Sequence, residues 1–194
     1  MSDPMEPQTD DAPVATAKHG DSAALFGDAL PDAKGNTILA RSITINRPLA
    51  EVFGYFRDFS KLPTFMENVV SIDIYDPLRS HWVVKAPGGR TVEWDARITD
   101  EADGRFIAWT SDPGADVANS GRVDFRDAGE RGTVVTATIL YDPPAGIIGK
   151  VIAKMFQREP GIQARRDLRR LKQLLEAGEI ATAARTKAQH EKDS

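Results

Sequence analysis

The chain contains no cysteine, and its three histidines are far apart in the sequence. The lack of cysteine excludes a disulfide framework, a thiol nucleophile and a thiolate metal site. The scattered histidines do not have the spacing of a metal site. Gly88 and Gly89 fall in a predicted hairpin turn, not in a strand-to-helix turn that ends in Lys-Ser or Lys-Thr, so no phosphate-binding loop is indicated. We therefore expect no metal and no cofactor.

Long apolar runs are also missing. No stretch approaches the roughly 18 apolar residues that a membrane-spanning helix needs, and no basic-then-apolar start resembles a secretion signal. The absence of cysteine is typical of a reducing compartment. We therefore expect a cytoplasmic protein.

Charge is distributed unevenly along the 194 residues. Residues 1–36 carry seven acidic and two basic side chains, whereas residues 150–194 carry eleven basic and six acidic ones. We divide the chain into a disordered acidic tail at 1–37, one folded domain at 38–178 and a polar tail at 179–194. The charged ends could contact each other, meet an anionic surface or stay solvated.

The hydrophobic period changes twice between residues 41 and 75. Ile43 and Ile45 alternate with polar residues, which predicts a strand, and Pro48 then opens a predicted helix. A second short helical turn follows, with Pro63 in its first turn. The apolar residues assigned to the two helical segments are Val52, Phe53 and Phe56, then Leu62, Phe65 and Met66.

Alternation returns at Val69 and continues with turn signals between the strands, which predicts an antiparallel meander. In the first of these strands we expect Val70, Ile72 and Ile74 to share one side. The seven predicted strands lie near 41–46, 69–76, 80–86, 91–100, 105–111, 117–126 and 132–141. Gly121 is interpreted as a bulge-forming residue.

Two helical segments end the predicted domain. An apolar segment at 146–157 is separated by Pro160-Gly161 from an amphipathic helix that Gly178 ends. The buried face of the second helix is predicted to hold Ile162, Leu168, Leu171, Leu174 and Leu175. Its solvent face is predicted to hold Arg165, Arg166, Arg169, Arg170 and Lys172.

Several segments carry a family resemblance: INRPLAEVFGYFRDFSKLPTFMENV, HWVVKAP, TVEWDARI, FIAWTS and RRDLRRLKQLLE. Over residues 38–178 the chain resembles the START-like (SRPBCC) superfamily, which includes polyketide cyclases and dehydrases, coenzyme Q-binding START-domain proteins and birch-pollen allergens. The resemblance implies an α+β helix-grip fold, in which a curved seven-stranded antiparallel sheet surrounds a long C-terminal helix. It implies no single reaction, because function depends on the site that the fold holds.

Glu93 and Asp95 form a polar pair on the TVEWDARI strand. If both were buried, each would raise the pKa of the other, as acid–base catalysis requires. Alternation places Trp94 on the opposite side of the strand from both carboxylates. The surface interpretation has Trp94 inside and the carboxylates outside, paired with Lys85 or Arg105. By the same alternation His81 points away from Trp82.

Aromatic and apolar side chains are the candidate ligand-binding residues. They either fill the core or line a pocket between sheet and helix. The candidates are Phe53, Phe56, Phe65, Trp82, Trp94, Trp109, Phe125, Tyr141 and Met155. Tyr141 and the indole N–H groups would supply polar contacts to the ligand. No catalytic residue is identified.

The function that this pattern favours is binding or carriage of a small hydrophobic ligand. Isoprenoid quinone, lipid and aromatic polyketide are the ligand classes that the resemblance implies. The alternatives are a cyclase- or dehydratase-like enzyme and a protein that binds macromolecules through its outer surface. Residues 143–157 could form a lid, contact a membrane surface or pack into the core. Nucleic-acid binding is not expected, because the RRDLRR run lacks interleaved aromatic residues.

Overall fold

The computed structural model describes residues 37–86, 88–142 and 160–180, and the side chains of 40–86, 88–140 and 163–180. The helix predicted at 146–157 and most of both predicted tails lie outside these residues. The strands are β1 (Thr37–Ile45), β2 (Val69–Ile74), β3 (Arg79–Ala86), β4 (Arg90–Ala102), β5 (Phe106–Ser111), β6 (Ala118–Asp127) and β7 (Thr133–Asp142). The helices are α1 (Leu49–Arg57) and α2 (Pro160–Ala177), with 3₁₀ helices at Phe59–Thr64 and Gly129–Arg131.

The described strands form one antiparallel sheet in the order β1-β7-β6-β5-β4-β3-β2. Strands β2 to β7 are a meander, and β1 joins it by pairing with β7 from Ile45↔Thr133 to Thr37↔Tyr141. The sheet curls into a half-barrel, and α2 packs beside β1. The helix-grip fold and its seven strands are confirmed.

Helix α1 places three apolar side chains in the core, as its period predicts. Val52, Phe53 and Phe56 are all buried. Because Pro48 directly precedes the helix, its missing N–H group costs no intrahelical hydrogen bond. The 3₁₀ helix buries Phe59 and Leu62. Pro63 lies near the end of this 3₁₀ helix, so its predicted place in the first turn is wrong.

Helix α2 begins at Pro160 and ends where the sequence predicts. Gly178 has φ of 75°, and its N–H donates to the Leu174 carbonyl at 2.9 Å, as in a glycine C-cap. Arg47 donates to the carbonyls of Leu175 and Glu176 at 2.8 and 3.0 Å. These contacts fix the end of α2 to the chain that leaves β1.

The solvent face predicted for α2 needs a partial correction. Leu168, Leu171 and Leu175 are buried as expected. Lys172, however, donates to the Thr44 carbonyl at 2.6 Å, and Arg170 donates to the Phe65 carbonyl at 2.8 Å. Both cations are partly buried, because their long stems lie along the protein while their charged groups reach these two backbone carbonyls.

Two predictions about the strands need correction. In β2, Ile72 and Ile74 share one side as predicted, opposite Trp82 and Ser80, although Ile74 is 49% exposed at the end of an edge strand. Val70 is also 49% exposed and does not share this side, because the register shifts between Val69 and Ser71. In β6 the register passes through Gly121 without a shift, so Gly121 forms no bulge.

Within the described residues, no helix is long and apolar enough to cross a membrane.

Candidate ligand-binding site

The concave face of the sheet holds a tryptophan pair. Trp82 of β3 lies directly opposite Trp94 of β4. Their rings stack, with the ring centroids 6.3 Å apart and an angle of 9° between the planes. Phe59 and Trp82 pack edge to face, with their ring centroids 5.9 Å apart. The Trp82 indole Nε1–H donates to Ser80 Oγ at 2.9 Å. The predicted polar contact from this indole is therefore already made within the protein.

Trp109 of β5 extends the aromatic surface. It lies opposite Ile98 of β4 and Gly121 of β6, on the core side of the sheet. All three tryptophans are only partly buried. A row of rings on successive strands therefore faces the inside of the half-barrel without being fully enclosed.

The four predicted phenylalanines occupy the core. Phe125 packs edge to face against Phe53 and Phe56, with ring centroids 5.2 and 5.7 Å apart. The ring centroids of Phe56 and Phe65 are 5.9 Å apart. Each of the four is less than 9% exposed. Such edge-on packing stabilises a core. Their contact with a ligand stays a prediction.

The other two predicted ligand contacts cannot be placed at side-chain level. Met155 lies outside the described residues, and of Tyr141 only the backbone is described, opposite Asn119 and Thr37. The prediction of membrane contact by residues 143–157 also stays a prediction.

The carboxylates of β4 lie on the convex face, as the surface interpretation expects. Asp95 is 2.8 Å from His81 Nδ1, and Glu93 is 3.7 Å from His81 Nε2. The predicted partners Lys85 and Arg105 are wrong, because the register places His81 directly opposite Asp95. Among the described residues, no group of His, Cys, Asp and Glu could hold a metal ion.

Three polar residues of the concave side were missed by sequence reasoning. Arg41 shares a face with Ile43 and Ile45, and it lies opposite Ala137 of β7. Asn119 donates to the Val117 carbonyl at 2.9 Å, and Ser80 holds the Trp82 indole. For Arg41 the signal was present, since strict alternation from Ile45 gives its direction.

Asp167 of α2 was also missed. Its Oδ1 accepts from the backbone N–H of Glu67 at 3.2 Å and from Gln163 Nε2 at 2.9 Å. Burial raises the pKa of Asp167 to about 6, although these two hydrogen bonds and the charge of Arg170 act to lower it. A titratable group thus lies where α2 meets the chain after the 3₁₀ helix.

Two depressions open near Arg57. A surface groove of about 690 Å³ lies between α1 and the β4–β5 turn, beside Leu49, Phe53 and Gly104. A more enclosed pocket of about 160 Å³ lies under the β2–β3 hairpin and includes Phe59, Ser80 and Ile98.

A family model described as polyketide cyclase/dehydrase and lipid transport matches residues 37–176. The chain belongs to this family. Its match spans β1 through α2 and therefore includes the tryptophan surface and both depressions. Among curated proteins, none matches the chain significantly.

Solved structures are also similar to this chain. DR_A0006 from Deinococcus radiodurans is 38% identical, with 73% of this chain and 99% of that chain covered and a TM-score of 0.59. TTHA0849 from Thermus thermophilus is 24% identical, with 73% and 98% covered and a TM-score of 0.62. The di-domain ARO/CYC BexL from the BE-7585A biosynthetic pathway is 17% identical, with 72% of this chain and 50% of that chain covered and a TM-score of 0.53. The last two likenesses show the fold alone.

Proposed function

We propose that this protein binds and carries a small apolar molecule between the concave face of its sheet and α2. The observation that carries the proposal is the row of Trp82, Trp94 and Trp109 on β3, β4 and β5. All three face the half-barrel and remain partly exposed. Incompletely buried aromatic rings on a concave wall are typical of sites for apolar ligands.

The ligand classes that fit are an isoprenoid quinone, a lipid and an aromatic polyketide. Each combines a large apolar body with a few oxygen atoms. The stacked pair of Trp82 and Trp94 offers a flat surface to a ring, and Arg41 and Asn119 add hydrogen-bonding groups to the same side of the sheet. Family membership supports this range of ligands and does not select one of them.

The enzyme alternative has weaker support in this geometry. General acid–base catalysis needs a titratable group within hydrogen-bond reach of the reacting atoms. The cluster of His81, Glu93 and Asp95 lies on the convex face, away from the tryptophans. The likeness to BexL is a likeness of fold.

Tryptophan fluorescence tests the carrier proposal. A short-chain ubiquinone analogue, a fatty acid and a polycyclic aromatic ketone should each be titrated into the protein. At least one should give a saturable change with a dissociation constant of roughly micromolar order, which corresponds to about 8 kcal/mol. Trp94→Phe should weaken binding, because the smaller ring loses stacking area on the ligand.

The matched control is Tyr75→Phe, which changes an exposed ring beside His81 on the convex face. It should leave the titration unchanged. A linear response to every probe, or equal weakening by Trp94→Phe and Tyr75→Phe, would contradict the proposed site. If the titrations support the site, native mass spectrometry of protein purified from its own source would identify the natural ligand class.

A further inference from the structure

The pocket of about 160 Å³ under the β2–β3 hairpin, called here the hairpin pocket, adjoins Trp82 but has no tryptophan among its lining residues. Its floor is apolar and buried, with Phe59 and Ile98 each 8% exposed. Ile74 and Leu78 line its mouth, and they are 49% and 51% exposed. A cavity of about 150 Å³ lined by aliphatic and aromatic groups is large enough for benzene.

One polar side chain projects into this apolar floor. Ser80 is only 4% exposed and lines the pocket. Its oxygen accepts the Trp82 indole N–H at 2.9 Å, which leaves its hydroxyl proton free of any partner among the described residues. A buried hydroxyl can donate one hydrogen bond while it accepts another. Ser80 therefore offers a donor to whatever fills the pocket.

The exposed residues at the mouth are unusual for this protein. Among the described residues, the exposed large hydrophobic side chains are Val70, Ile74, Tyr75 and Leu78. Two of the four line the hairpin pocket. Each charged residue that lines the pocket has an ionic partner: Arg57 pairs with Glu101 at 2.5 Å, Asp58 with Lys61 at 3.1 Å, and Arg79 with Asp76 at 2.8 Å. A neutral occupant therefore suits the pocket better than a charged one.

We propose that the hairpin pocket binds a benzene-sized ring bearing a carbonyl oxygen, and that Ser80 donates the hydrogen bond to this oxygen. The ring contacts Phe59 and Ile98 and displaces solvent from Ile74 and Leu78. The pocket is a second site, and it does not depend on a ligand in the tryptophan row. Because Ser80 also holds the Trp82 indole, occupancy of the pocket is reported by the Trp82 N–H group.

Nuclear magnetic resonance of ¹⁵N-labelled protein tests this proposal with two matched probes, acetophenone and ethylbenzene. The chain has three tryptophans, so three indole N–H signals are expected, and Trp82→Phe assigns one of them. Acetophenone should shift the Trp82 signal saturably. It should bind roughly fivefold more tightly than ethylbenzene, which is the effect of about one net hydrogen bond. Ser80→Ala should abolish this preference.

A second pair of variants tests the pocket without changing the buried serine. Leu78→Phe places a larger ring at the mouth and should weaken both probes at least about fivefold through steric overlap. Val70→Phe changes an equally exposed aliphatic residue of β2 outside the pocket and should have no effect. Dispersed spectra would verify that each variant is folded.

Three results would overturn the proposal: a shift that does not saturate, an unchanged preference in Ser80→Ala, or equal binding by Leu78→Phe and Val70→Phe. A saturable shift that Leu78→Phe does not weaken would place the ring on the tryptophan row instead. That outcome would uphold the proposed function and remove the hairpin pocket. A Trp94→Phe variant that loses the ligand of the tryptophan row but still binds acetophenone would support the hairpin pocket as a second site.

Discussion

The Trp109 ring occupies the space above Gly121 where any other residue would place a side chain. A Cβ at position 121 would overlap Trp109 Cζ2, well inside van der Waals contact. The glycine therefore allows the Trp109 ring to lie close to the β6 backbone. The sequence could show the glycine and the tryptophan but not their contact, since they are twelve residues apart and meet only through strand register.

Substitution of Gly121 by Ala should lower the free energy of unfolding by about 1–3 kcal/mol, because the Trp109 ring must move within a packed surface. Urea denaturation would measure this loss. Trp109→Phe removes the overlapping ring, so the double variant should lose less than the sum of the single losses. Gly54→Ala is the matched control, since nothing lies within 4 Å of its added Cβ. Equal losses at positions 54 and 121 would contradict the account.

At the level of elements, α2 contacts the segment that follows the 3₁₀ helix Phe59–Thr64, and this contact includes Asp167, whose pKa is raised. Burial raises the pKa of Asp167 from 3.8 to about 6. Between these values the native state binds more protons at Asp167 than the unfolded state does, so the contribution of Asp167 to stability falls as pH rises from about 4 to 6 and does not change further above that range. The loss is of the order of 3 kcal/mol for a shift of about two pH units.

Asp167→Asn should therefore raise the unfolding free energy at pH 7.5 by about 1–3 kcal/mol and change it little at pH 4. The amide oxygen of Asn can still accept the Glu67 N–H, and the variant removes the charge. Thermal denaturation across this pH range would measure the effect. Asp100→Asn, which makes the same substitution at an exposed position of β4, is the control variant. A similar gain at pH 4 and pH 7.5 would exclude titration of Asp167 as the cause.

Periodicity predicted the elements well because each buries one continuous face. Alternation gave seven strands, and helical spacing placed Val52 and Leu171 in the core. Periodicity failed where the surroundings of a residue depend on a strand or helix that is distant in the sequence. The partner of Asp95 depends on the register between β3 and β4, and the exposure of Val70 depends on a bulge. Asp167 gave no sequence signal, because its burial depends on α2 docking on Glu67.

For the whole molecule, the two edges of the sheet are unequal. Strand β1 is covered by α2, whereas β2 has no strand beside it among the described residues. The Tyr75 N–H donates to the Arg79 carbonyl, so antiparallel alternation directs the N–H groups of Asp73 and Ser71 toward β3 as well. The N–H groups of Ile72 and Ile74 consequently point away from the sheet.

Hydrogen exchange should reveal this inequality within one strand. The amides of Ile72 and Ile74 should exchange faster than those of Ser71 and Asp73, although the Ile72 side chain is only 8% exposed, because protection follows the hydrogen bond rather than side-chain burial. Slow exchange at all four amides would mean that another chain segment covers β2. That segment could belong to the same molecule or to a second copy. Repeating the measurement after tenfold dilution would distinguish these, since only pairing with a second copy weakens as the protein becomes more dilute.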